Sequence, residues 1–111
     1  MARKFFVIDL NSCEMCDTIE AAREKAEWWM QIERDQCEEA DAEELAQWMH
    51  SQYKGLDAGD VVICEAEEDD DSIHDYDGRI TGRLVIEYGD VIDTYSARRV
   101  LEEVAQARGI A

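Results

Sequence analysis

The stretch C13-E-M-C16 sets two thiols two residues apart, a spacing that suits two kinds of chemistry. Ahead of a helix, such a pair can form a redox couple, because the helix dipole stabilises the first thiolate. The same pair can supply half of a tetrahedral zinc site, with Cys37, Cys64, His50 and His74 as the remaining soft ligands. A structural zinc site generally adds a second tight pair, whereas Cys37 and Cys64 stand alone in the chain. Cys64, next to Ile63 in an apolar run, reads as a small core residue. Nearby carboxylates also raise a thiol's pKa and oppose its activation. The four cysteines are therefore expected to be structural bystanders, with no metal and no cofactor.

A second concentration of reactive groups is I63-C-E-A-E-E-D-D-D-S-I-H-D-Y-D-G78, which carries Glu65, Glu67, Glu68, Asp69, Asp70, Asp71, Asp75 and Asp77 and no Lys or Arg. As a calcium loop its spacing fails. Taking Gly78 as the turn glycine of an EF-hand puts Ile73 at the first ligand position. Weak divalent binding at Asp69–Asp71 is the most that this run suggests. Neither histidine stands near a Ser or Cys in a nucleophile elbow, and there is no phosphate loop or dinucleotide fingerprint. Set after a strand and before a helix, C13-E-M-C16 is similar to a thioredoxin-like motif. Such folds place a cis-proline beside the pair, and this chain has no proline. No enzyme is expected.

With 111 residues, 46% of them hydrophobic, the chain can bury a core as a single domain over 1–111. Disorder is not the default despite a net charge of −17. The apolar run after Arg3 and Lys4 is too short for a secretory leader, and nothing approaches a membrane span. A cytoplasmic protein with reduced thiols is the expectation. The charge is unevenly placed: residues 14–77 hold 22 acidic side chains against Arg23, Lys25, Arg34 and Lys54, while 79–111 hold five of each sign. Confining the acid to one part of the chain favours a directed surface over a general solubility device.

The elements that must carry these groups follow from periodicity. K4-F-F-V-I-D9 reads as a buried strand. A helix capped by Asn11 or Ser12 is predicted from about Glu14 to Asp35. Met15, Ile19, Ala22, Ala26 and Trp29 form its apolar stripe, and Asp17, Glu20, Glu24 and Glu27 form an acidic row on the other side. D41-A-E-E44 resembles a capping box and starts a second helix that buries Leu45, Trp48, Met49 and Tyr53, leaves His50 exposed and stops at Gly55. Asp60–Ala66 reads as a strand. Arg79–Tyr88 and Val91–Tyr95 read as two more, joined by a Gly89-Asp90 turn. Ser96–Arg108 is a helix with Ala97, Val100, Leu101, Val104 and Ala105 inward and Gly109 as its stop. The order β-α-α-β-β-β-α predicts an α+β sandwich, with three helices on one face of a three- or four-stranded, mainly antiparallel sheet.

Within this frame the acid gathers into one expected surface: Asp17, Glu20, Glu24 and Glu27 on the first helix, with Glu65, Glu67, Glu68, Asp69, Asp70, Asp71, Asp75 and Asp77 beyond the strand. The helix dipole accounts for part of the cluster Glu38, Glu39, Asp41, Glu43 and Glu44. Trp28, beside the acidic row, and Tyr76 are the aromatic anchors. In size, charge and lack of catalytic motifs, residues 14–77 resemble the small acidic DNA-mimic inhibitors of phages and mobile elements, of anti-restriction or anti-CRISPR type. The resemblance implies a monomer or homodimer that occupies the basic nucleic-acid-binding surface of a partner protein in the host cytoplasm, binding neither nucleic acid nor membrane itself. Two alternatives stay open: a metal or thiol-redox protein using Cys13 and Cys16, and an acidic adaptor for another cationic protein.

Overall fold

A computed structural model describes residues 3–9, 12–50 and 60–110. The expected Asn11 cap, the Tyr53 contact and the Gly55 stop lie outside these residues. The apolar run at the start forms β1 (Arg3–Ile8), and the chain then doubles back at once into β2 (Cys13–Cys16). The hairpin is closed at its turn by Asp9 N–H donating to Ser12 C=O at 3.0 Å and by Ser12 N–H donating to the Asp9 carboxylate at 2.7 Å. C13-E-M-C16 is thus an edge strand and not a helix start, and Ser12 closes a turn and caps nothing. Helix α1 (Ile19–Glu39) begins later, where Thr18 Oγ1 accepts from Ala21 N–H at 3.1 Å. Met15 accordingly leaves the predicted apolar stripe and sits exposed on β2. Ile19, Ala22, Ala26 and Trp29 stay inward.

Helix α2 (Ala42–His50) starts as expected, with Asp41 accepting from Glu44 N–H at 2.8 Å, and β3 (Val61–Glu67) follows. Beyond a 3-10 turn at Asp71–Ile73 comes α3 (Gly82–Tyr88), where a strand was predicted. Thr81 caps this helix and Gly89 ends it, so Gly89-Asp90 is a helix stop and not a hairpin turn. A Cβ on Gly89 would lie 2.7 Å from the Val85 carbonyl oxygen and 3.0 Å from that of Glu65, so only glycine lets α3 close this tightly on β3. Strand β4 (Asp90–Tyr95) leads into α4 (Ala97–Ala107), which Ser96 caps. Ala97, Val100, Leu101, Val104 and Ala105 of α4 are all buried, as predicted, and Gly109 takes a left-handed φ of 72° just past the helix end.

The sheet order is β2-β1-β3-β4, antiparallel throughout. Strand period 2 sends alternate side chains of β1 and β3 to opposite faces, and both faces are apolar. Phe6, Ile8, Cys64 and Ala66 pack with Ile73 and Val85 under α3. Val7, Val61 and Ile63 pack with Ala22 and Ala26 under α1. Helices therefore cover both faces of the sheet and not one, because residues 61–66 are apolar at nearly every position, which requires cover on each side. A third cluster contains no strand residue: Cys37, Ala40, Leu45, Leu101, Val104 and Ala105 join the far half of α1 to α2 and α4. The molecule is elongated, 50 × 27 × 17 Å. Among the described residues it is an α+β fold with four strands and four α-helices, and no helix is long and apolar enough to cross a membrane.

Candidate docking surface

The outward face of α1 carries Glu20, Glu24, Glu27, Asp35 and Glu38, all exposed. Their spacings of four, three, eight and three residues, with Gln31 filling the eight-residue gap, keep them in one row. Gln31 hydrogen-bonds Asp35 at 2.9 Å inside the row. The helix has three basic residues, and each is bound to a carboxylate of another element. Arg23 pairs with Asp93 of β4 at 3.1 Å, Lys25 with Glu14 of β2, and Arg34 with Glu103 of α4 at 2.7 Å. None of the helix's cations is spent on its own row. Among the described residues, no basic group meets Glu20, Glu24, Glu27 or Glu38. Glu38 and Glu39 also end α1, where the helix dipole disfavours carboxylates, so capping explains neither of them. Continuing the spacing past Glu27 through the neutral Gln31 reaches Asp35 from sequence alone, while Glu38 lies beyond the predicted helix end and joins the row only because α1 runs on to Glu39.

Other predicted site residues have local duties. Asp17 accepts from Lys4 Nζ at 2.7 Å. That hydrogen bond and charge hold its carboxyl below the usual range. Glu65 accepts from Arg3 at 2.9 Å, and Arg3 also reaches Asp90 at 2.7 Å. Asp70 caps the 3-10 turn by accepting from Ser72 N–H at 2.9 Å. Asp75 accepts from the N–H groups of Asp77 and Arg79 at 2.9 and 3.0 Å. Glu68, Asp69, Asp71, Tyr76 and Asp77 are exposed, and Glu67 is half-buried opposite Arg3 at the end of β3. The acidic segment is folded, pinned by the fully buried Ile73 and by a bridge between His74 and Ile80.

The two acidic groups meet at one point. Lys4, bonded to Asp17 ahead of α1, is also within electrostatic reach of Glu68. From there they diverge, because Ile73 roots its segment on the α3 face while the α1 row runs along the opposite face. The surface expected as a single patch is thus a ridge on α1 and a separate acidic turn joined at the sheet end. Trp28 is 56% exposed beside the ridge and packs edge-to-face on Trp29, with ring centroids 5.0 Å apart. Tyr76 is fully exposed on the other group.

The cysteines are distributed over all three core clusters. Cys13 packs on the α3 side of the sheet and Cys16 on the α1 side, since residues three apart on a strand point to opposite faces. Cys37 is buried in the helical cluster, and Cys64, fully buried, joins Cys13. The fold therefore separates the two thiols of C13-E-M-C16. Burial pushes the Cys13 and Cys16 thiols up, with Asp17 adding to the second, and pushes Cys64 up to about 11. These shifts oppose thiolate formation, and burial, rather than neighbouring carboxylates, is the main cause. Among the described residues, no group of three or more His, Cys, Asp or Glu side chains could hold a metal ion. Comparison of the chain with protein-family models, with curated proteins and with solved structures finds no match in any of the three.

Proposed function

We propose that this chain is a non-enzymatic acidic binding protein whose α1 ridge occupies the basic nucleic-acid-binding surface of a partner, excluding the nucleic acid and so inhibiting it. The observation that carries the reading is the partition of charge on α1. Its cations are drawn sideways onto Asp93, Glu14 and Glu103, leaving Glu20, Glu24, Glu27, Asp35 and Glu38 to solvent. From Glu20 to Glu38 the helix rises about 27 Å, with neighbouring row positions about 5 Å apart. A DNA strand presents one phosphate per roughly 3.4 Å of axis. The five carboxylates average about 7 Å apart along that length, roughly one for every second phosphate, so the rigid row can enter a groove built for a phosphate backbone, and its field steers the encounter. Trp28 beside the ridge supplies the slow-dissociating contact.

The test is capture from cell lysate with the immobilised protein at low and high salt, followed by competition with duplex DNA. The expected partner is nucleic-acid-binding, leaves the column at high salt and is displaced by duplex. Replacing Glu20, Glu24 and Glu27 together by Gln should abolish its capture while leaving the fold intact. A partner that holds duplex and this protein simultaneously, or binds equally at both salts, overturns the reading.

A further inference from the structure

Between the acidic turn and the start of α3 lies a cleft of about 600 Å³, within the size range of ligand-binding pockets. His74, Asp75 and Tyr76 of the turn line it on one side, and Thr81, Arg83 and Leu84 on the other. It belongs to the α3 face of the sheet, opposite the face that carries the α1 ridge. We infer that this cleft binds a small aromatic carboxylate, with the anionic group on Arg83 and the ring against Tyr76 and Leu84.

The charge left over in this cleft is positive. Asp75 is taken up by its own turn, where it accepts from the N–H groups of Asp77 and Arg79, and Nδ1 of His74 is tied to the Asp70 carbonyl at 2.7 Å. Arg83 stands differently. The chain has 28 acidic side chains, and among the described residues every Lys and Arg except Arg79 and Arg83 reaches a carboxylate or a carbonyl. Of those two, Arg83 lines the cleft. A guanidinium left exposed and unpaired in so acidic a molecule selects an anion, and its N–H fork matches a carboxylate with two parallel bonds. The surroundings then limit the ligand's charge. Asp71, Asp75 and Asp77 stand in the same segment, so a second negative charge adds repulsion and gains no second cation from the lining residues. That disfavours phosphate dianions and nucleic acid and favours a monoanion. The apolar groups supply the rest. Leu84 packs on the core cluster of Ile73 and Val85 and donates its N–H to Thr81 Oγ1 at 3.4 Å, so this side is fixed before binding. Tyr76, fully exposed, has only two side-chain torsions to order as its ring covers a flat apolar body.

The test is a titration of the intact chain with sodium benzoate at constant ionic strength, read by NMR from the Arg83 Nε–H and Tyr76 ring signals. Both should shift saturably, while the Nε–H signal of Arg99 on α4 should not move. Benzamide, nearly the same shape without the charge, should bind about tenfold or more weakly. Acetate, which keeps the charge and lacks the ring, should also bind more weakly. Arg83→Met should remove the saturable shift of Tyr76, Arg83→Lys should restore part of it, and Arg79→Met should leave it in place. Arg83 is exposed, so Arg83→Met should leave the melting temperature unchanged, which separates loss of the site from misfolding. The Glu20→Gln, Glu24→Gln, Glu27→Gln variant should still bind benzoate, so the cleft and the docking ridge fail independently. Absence of a saturable shift, equal binding of benzamide or acetate, tighter binding of phenyl phosphate than of benzoate, or an equal response of Arg99 overturns the proposal.

Discussion

Arg98 and Arg108, both contributed by the last helical segment, hold the C-terminal ends of two other helices. Arg108 Nη1 donates to the carbonyls of Ala40 and Cys37 at the end of α1, at 2.7 and 3.3 Å. Arg98 donates to those of Met49 and Trp48 at the end of α2, at 2.6 and 3.0 Å. The last turn of α1 has no basic residue of its own and bears Glu38 and Glu39, so a cation brought from elsewhere offsets the dipole there. Arg98→Met and Arg108→Met should each lower stability by about 1–3 kcal/mol in chemical denaturation. Arg99→Met, whose exposed guanidinium reaches Glu103 only at 3.8 Å, should change it by less than about 0.5 kcal/mol. Cys64 adds a pH dependence. Its thiol is raised from 9.0 to about 11 by burial first, then by Cys13 and Asp90. The unfolded chain therefore loses this proton before the folded one does. The contribution is fully present below pH 9 and fades as pH rises to about 11, by roughly 2–3 kcal/mol in all. Cys64→Ala should flatten the fall in stability over that window, although it lowers stability at neutral pH.

At the scale of elements, the two places where local sequence pattern and structure part are β2 and α3. Thr18 and Ser12 separate the two readings of the first helix. Thr18 Oγ1 caps α1, so Thr18→Ala should cost about 1 kcal/mol. Ser12 takes part in its turn through backbone groups, so Ser12→Ala should cost almost nothing by the same thermal unfolding measurement. For α3 the informative position is its stop. Gly89→Ala drives a Cβ against two backbone carbonyls and should destabilise by about 1–3 kcal/mol. Gly78 has a left-handed φ of 76° but open space around it. Gly78→Ala should therefore cost about 1 kcal/mol, the strain of φ alone.

Across the whole molecule, a charge of −17 opposes the compact state. Among the described residues, the ion pairs draw Arg23, Lys25 and Arg34 to carboxylates of other elements and leave the ridge carboxylates without a cation. Raising ionic strength from about 0.01 to 0.15 M shortens the screening length from roughly 30 to 8 Å. The melting temperature should therefore rise with salt while association with the basic partner slows. Glu20→Gln, Glu24→Gln, Glu27→Gln should reproduce both effects at low salt, with a smaller further response to added salt. A melting temperature that falls with salt would show that the pairs at Arg3, Arg23 and Arg34 outweigh the repulsion along α1.

Much was settled by local pattern alone. The apolar runs at residues 4–8 and 61–66 had to be buried strands. The spacing of Ala97, Val100, Leu101, Val104 and Ala105 had to be the inner face of a helix, with Ser96 and Gly109 at its ends. D41-A-E-E44 marked the start of α2, and helical spacing made Glu20, Glu24 and Glu27 legible as a row on α1, whereas Asp17, predicted to head that row, falls ahead of the helix and pairs with Lys4. Tertiary structure decided the rest. G82-R-L-V-I-E-Y88 alternates as a strand would, yet it becomes a helix because the Phe6–Cys64 face of the sheet needs cover that a fifth strand could not give. C13-E-M-C16 continues a helical period, yet pairing with β1 through Ile8 and Phe5 draws it into the sheet and turns its two thiols apart. Which carboxylates remain available was likewise beyond the reach of spacing. Lys4, Arg3, Arg23, Lys25 and Arg34 select Asp17, Glu65, Asp90, Asp93, Glu14 and Glu103 across 11 to 87 positions of sequence, because ion pairing follows distance in space, and only the fold sets that distance.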